Sequence, residues 1–136
     1  MLKSEVIVTH IDRPFAEVYA FLVEPANFLQ WAANLGSEMT LLGDREYEVE
    51  VSTGRIAIQF SEPNDYGVLD YVARKLDAET GFTNQVRLYP NGDGSDLAYT
   101  MWQRAGVSDE QYASDQVWLK SDLSRLKTLL ESRPRK

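Results

Sequence analysis

The sequence predicts an α+β fold: an antiparallel sheet of about seven strands lays one apolar face on a long C-terminal helix. Three observations carry this. Between residues 38 and 104 apolar and polar residues alternate, and turn signals break the alternation repeatedly. After residue 108 the apolar spacing lengthens to three and four residues. Before both, the stretch HIDRPFAEVYAFLVEPANFLQW (10–31) holds a helical pattern that two prolines cut into short pieces.

In chain order, EVIVTHI (5–11) is rich in β-branched residues and reads as a strand. Pro14 suits a first helical turn, where its missing N–H costs nothing, and Asp12 stands close enough to cap that turn. Phe15, Val18, Tyr19 and Leu22 form the apolar stripe of a short helix, and Pro25 starts a second one that runs to about Trp31. A strand is expected around Met39 to Leu42. EYEVEV (46–51) alternates strictly, with Tyr47, Val49 and Val51 on one face.

Turn signals at STG (52–54), EPNDYG (62–67), DAETG (77–81) and PNGDG (90–94) delimit four more strands: GRIAIQF, GVLDYVARKL, GFTNQVRLY and DLAYTMWQR. PNGDG between two β-rich runs is the strongest hairpin signal of the chain. Ile56, Ile58 and Phe60 share one face of their strand, as do Phe82, Val86 and Leu88 of theirs, so one side of the sheet is covered. Ser108 and Gln111 have capping-box spacing, with Asp109 and Glu110 at the positive end of the helix dipole. Leu119, Leu123, Leu126 and Leu130 continue the helix, which at about 1.5 Å per residue is about 37 Å long and crosses the whole sheet.

At 136 residues the chain is expected to form one domain, 1–136, without disulfides, since it contains no cysteine. Hydrophobic residues at 43% and charged residues at 26% fit a globular protein rather than a disordered one. The net charge of −7 repels phosphate backbones, so no nucleic-acid partner is expected. MLKSEVIVTH has neither the apolar run nor the cleavage pattern of a signal peptide, and no segment is long and apolar enough to span a bilayer. The expected setting is cytoplasmic, with no integral membrane association.

The order of elements resembles the helix-grip fold of the SRPBCC superfamily, which includes START and polyketide cyclase/dehydrase-like proteins. The resemblance is carried by IDRPFAEVYAFLVEPANFLQW, YGVLDY (66–71), YPNGDGSDLAYT (89–100) and SDEQYASD (108–115), and a bacterial branch of the polyketide cyclase-like proteins is the most similar. It implies a curved sheet gripping the C-terminal helix around a cavity, with the two short helices closing one end. It further implies a small, largely apolar ligand, or alternatively cyclase or dehydratase chemistry, or a protein-interaction module whose cavity is filled.

The residues themselves offer few groups for chemistry. No nucleophile elbow, phosphate-binding loop or dinucleotide fingerprint occurs, and no cofactor is expected. With one histidine, His10, and no cysteine, no transition-metal site is expected; His10 ends the first strand with its face unassigned. Asp70 and Arg74 share a strand face and are the candidate catalytic pair if that face is inward. The apolar content of Leu69, Tyr71 and Ala73 favours the outer reading, in which the pair decorates the surface.

Tyr47 falls on an inward face, as do Tyr71 if Leu69 and Ala73 face the helix and Tyr99 if Leu97 and Met101 do; the three are candidates for the polar end of an apolar pocket, with Phe60 beside them. Trp31 at the entrance and Trp118 at the edge of the helix stripe complete the candidate ligand-binding set. Trp102 has outward parity, where an exposed tryptophan would suit a homodimer contact.

Overall fold

A computed structural model describes residues 1–32 and 38–135. Its elements are β1 (Ser4–Ile11), α1 (Phe15–Leu22), a 3-10 helix (Pro25–Gln30), β2 (Met39–Gly43), β3 (Glu46–Val51), β4 (Gly54–Phe60), β5 (Tyr71–Lys75), β6 (Phe82–Asn91), β7 (Gly94–Trp102) and α2 (Asp109–Glu131). All neighbours are antiparallel in the seven-stranded order β1-β7-β6-β5-β4-β3-β2.

This order explains the broken helical run. β1 and β2 are consecutive strands at opposite edges of one sheet, so the chain between them must cross its width. Six inter-strand spacings of about 4.8 Å make that roughly 29 Å. The helix α1 packs over β6 and β7, and the chain then turns at Pro25 into the 3-10 helix. One straight helix leaving β1 would run past the curved sheet; two angled pieces follow it.

Strand parity follows the alternation in the sequence. Ile7 faces Tyr99 across β1 and β7, Val86 faces Tyr99 and Leu88 faces Leu97 across β6 and β7, and Tyr71 faces Phe60 across β4 and β5. These residues form the concave face. The core joins Ile7, Ile11, Leu88 and Leu97 of the sheet to Val18 and Phe21 of α1 and to Leu123, Leu126 and Leu130 of α2, which are fully buried. The buried part of α2 is therefore its C-terminal half. Its N-terminal half touches the sheet more lightly, with Leu119 partly buried and the Tyr112 hydroxyl donating to the Met101 carbonyl at 3.3 Å. Ser108 caps the helix as expected, its side chain accepting from the Gln111 N–H.

The C-terminal end of α2 is held by a buried arginine. Arg13 is 6% exposed, and its guanidinium donates to the carbonyls of Asp12, Glu131 and Arg133. Orphan carbonyls at a helix end need donors, and Arg13 supplies them from the β1–α1 link. Ser95 of β7 donates in turn to the Arg13 carbonyl at 2.9 Å.

Two local expectations are corrected. Asp12 does not cap α1: its backbone N–H donates to Glu131 and its carboxylate pairs with Arg135 at 2.6 Å, while Pro14 takes the cap position with no side-chain bond. The run GVLDYVARKL is a strand only from Tyr71. Before it, the Asn64 side chain accepts from the N–H groups of Tyr66 and Val68 and donates to the Val68 carbonyl, leaving the segment joined to β6 by a single bridge between Val68 and Arg87. Gly67, at φ +70°, lies so close to β6 that a Cβ there would stand 2.1 Å from the Leu88 carbonyl oxygen.

Candidate functional site

The aromatic residues of the concave face meet around Phe28 of the 3-10 helix. Its ring centroid lies 5.2 Å from Trp31, 5.4 Å from Phe60 and 5.2 Å from Tyr71. Tyr47 reaches Phe60 at 6.0 Å, and Tyr71 reaches Tyr99 at 6.3 Å. The structure thus brings Trp31, Tyr47, Phe60, Tyr71 and Tyr99 into one wall, in edge-to-face and tilted contacts that favour such rings. Phe28, on which the wall is centred, escaped the sequence reading because no alternation marks a 3-10 helix.

These rings fill the centre of the grip. The cavity between Leu22, Phe28, Trp31, Phe60, Leu69, Tyr71, Val86 and Leu97 is only about 30 Å³, room for about one water. The space lies toward the other end. About 270 Å³ opens between the end of β7 and the N-terminal half of α2, where Tyr99, Met101, Trp118 and Leu119 contribute walls. A second void of about 260 Å³ adjoins Phe28, Ile58 and Tyr71. A third, about 530 Å³, lies at the ends of β4 to β6 between Ile56, Ala73 and Phe82. Arg104 lines all three, and Asn84 and Asp122 line two. Trp118, half exposed, stands apart from the aromatic wall but shares the first void with Tyr99.

The polar groups of this opening are distinctive. The hydroxyls of Tyr71 and Tyr99 are hydrogen-bonded to each other. Burial pushes the Tyr71 phenol up to about 12 and raises Tyr99 well above its ordinary value, so both are neutral near pH 7. Two hydroxyls carry two protons; their mutual bond uses one and leaves one free to donate. The Arg104 guanidinium stacks on the Phe82 ring, 3.1 Å from its centroid, and burial lowers its pKa from the usual arginine value. Asp122 pairs with Arg125 at 3.0 Å, and Arg125 also donates to the Trp31 carbonyl at 2.9 Å, tying α2 to the end of the 3-10 helix.

Asp70 and Arg74 are not a pair. Because Tyr71 and Ala73 turn inward, Arg74 lies on the outer face, where it meets Glu46 at 3.2 Å. Asp70 precedes the strand, and its carboxylate accepts the Val86 N–H at 2.8 Å, closing the irregular segment onto β6. His10 is on the outer face, opposite Asp96 in register, with Nδ1 2.6 Å from its carboxylate. Trp102, 42% exposed, is also outward and donates its indole N–H to Gln85 at 3.0 Å.

No protein-family model matches the chain, and no curated protein matches it. Solved structures do match. The crystal structure of Ara h 8.0201 superposes with a TM-score of 0.72 at 9% identity, over 98% of this chain and 100% of that one. The Aha1 dimer from Colwellia psychrerythraea gives 0.72 at 13% identity, over 96% and 97%. DynU16, a protein in the dynemicin biosynthetic locus, gives 0.64 at 19% identity over 95% of this chain and 47% of its own. The chain has the helix-grip fold. In helix-grip terms, the 3-10 helix and α1 close one end of the grip with aromatic rings, and the other end opens at Arg104.

Proposed function

We propose that this helix-grip chain binds a small, largely apolar organic molecule in the opening between the concave face of β4–β7 and the N-terminal half of α2. The observation that carries the reading is the pair of voids of about 260 and 270 Å³ beside a wall of aromatic rings, with a third of about 530 Å³ that shares Arg104 with them, a size and lining suited to small ligands. Tyr71, Tyr99 and Trp118 are the proposed contacts. Trp31, Tyr47 and Phe60 back the wall rather than touch the ligand directly. A ligand burying about 300 Å² of apolar surface gains roughly 7 kcal/mol before the costs of association. The resemblance to polyketide cyclase-like proteins supports the same class of ligand.

Binding is favoured over cyclase or dehydratase turnover by the state of the two phenols. A phenol held near 12 is a hydrogen-bond donor at neutral pH and a poor acid–base catalyst there. Native mass spectrometry of freshly purified protein, followed by extraction of what leaves it, tests the reading. One discrete small molecule per chain supports it. A bare mass that stays bare after incubation with lipids and aromatic metabolites contradicts it.

A second reading, a homodimer through the outer face of β1 and β7, is favoured by exposed Val6, Val8 and Trp102 and by the dimeric Aha1 neighbour. Light scattering after size exclusion distinguishes the masses directly.

A further inference from the structure

We infer that the ligand of this opening is an amphiphile with an anionic head, a carboxylate in its simplest form, and that Arg104 is the residue that recognises it. The inference rests on the binding reading above and names the chemistry of the bound molecule. Among the described residues, Arg104 is the one common to all three voids. It follows β7 by two residues, in the link to α2, so its backbone is fixed by a strand on one side; its carbonyl accepts the Val107 N–H at 3.1 Å on the other. Its guanidinium makes no ion pair or hydrogen bond with any other described residue and rests on Phe82 instead. Stacking uses the face of the guanidinium and leaves its edge of N–H donors unused beside voids that Arg104 itself lines, and such an edge suits a two-point bond to a carboxylate.

The acids that line the same void are already engaged elsewhere. Asp122 pairs with Arg125, and Asp115 accepts from the Gln111 side-chain amide at 2.7 Å. Asp115 adds to the field at the arginine, and neither acid bonds to its donors. The remaining Tyr71–Tyr99 proton can give one more bond to an anionic oxygen. An apolar tail then lies along Met101, Leu119 and Trp118. A partly desolvated cation with an open edge favours an anion over a neutral isostere, because the neutral head leaves the charge without a partner.

Isothermal titration calorimetry with decanoate and decan-1-ol separates this inference from the reading beneath it. Wild-type protein should bind decanoate at least about tenfold more tightly than decanol, and Arg104→Gln should erase that preference while keeping decanol affinity within about twofold. Arg104→Lys, which keeps charge but loses the fork, should fall between. Equal affinity of wild type for both probes overturns the anionic head and leaves apolar binding standing. Failure of both probes to bind overturns both. Loss of decanol binding in Arg104→Gln, with an unchanged circular dichroism spectrum, overturns head-group recognition by showing that Arg104 shapes the void.

Discussion

Replacing the two hydroxyls at the head of the aromatic wall, Tyr71→Phe together with Tyr99→Phe, should flatten the alkaline limb of the protein's stability profile. The folded-state value of Tyr71 is about 12 against 10.0 for an ordinary phenol, because burial penalises the phenolate. A folded state that holds its proton more tightly loses stability as pH rises through the interval between the two values. The contribution is intact below pH 10. Between pH 9 and 11 it falls by about 1 kcal/mol for Tyr71 alone, and above pH 12 the loss reaches about 3 kcal/mol. Tyr99 shifts in the same direction and adds to the slope. Urea denaturation of both proteins at pH 9, 10 and 11 measures this, with the other ionisations common to the two and cancelling in the difference. Removing both partners of one hydrogen bond leaves no orphan, so the variants should be of similar stability at pH 7. Parallel slopes for wild type and double variant would refute the burial of the pair.

Arg13→Ala should cost about 3 kcal/mol, the scale for removing a buried charged donor from several carbonyls, read as a lower urea midpoint with an unchanged slope. Gly67→Ala should cost about 2–4 kcal/mol, since the backbone is at φ +70° and the new Cβ meets the Leu88 carbonyl; an intact midpoint would contradict that close approach. On the acid side, hydrogen bonds from His10 and Asn91 hold Asp96 below the usual carboxylate value, and Lys127 and the Asp12 N–H do the same for Glu131. Their stabilisation is present above the ordinary carboxylate range and is lost as pH falls through the depressed values. Thermal melts from pH 6 to 2 should show a shallower acid limb for Asp96→Asn than for wild type.

The parts of this fold set by local pattern were legible in the sequence. Alternation assigned the inward faces of Tyr47, Phe60, Tyr71 and Tyr99, and the Leu123–Leu126–Leu130 spacing assigned the buried stripe of α2. What failed depended on side chains bonding to backbone. Asn64 takes over the N–H and carbonyl of Val68, so YGVLDY, with β-like composition, makes one isolated bridge to β6 and joins a continuous ladder only at its last residue. Strand parity puts Asp70 on a face with Arg74, but its carboxylate accepts the Val86 N–H before the strand begins. The site was half legible for a related reason. Its walls obey strand parity, but its polar end is built where parity stops, at Arg104 beyond β7. A signal for the facing helix was present: Asp115, Leu119, Asp122 and Leu126 follow one another at spacings of four, three and four, placing two acids on the stripe that otherwise carries leucine. Acids on such a face mark where the helix no longer packs on a dry core.

The most direct test of binding at the open end is an amide chemical-shift map of the labelled protein titrated with decanoate. Binding at this opening predicts shifts confined to Asn84, the Tyr99–Arg104 segment and the Asp115–Asp122 turns of α2, with the outer face of β1 unchanged. Shifts centred instead on Val6 and Val8 of β1, or an unchanged spectrum at saturating probe, would contradict it.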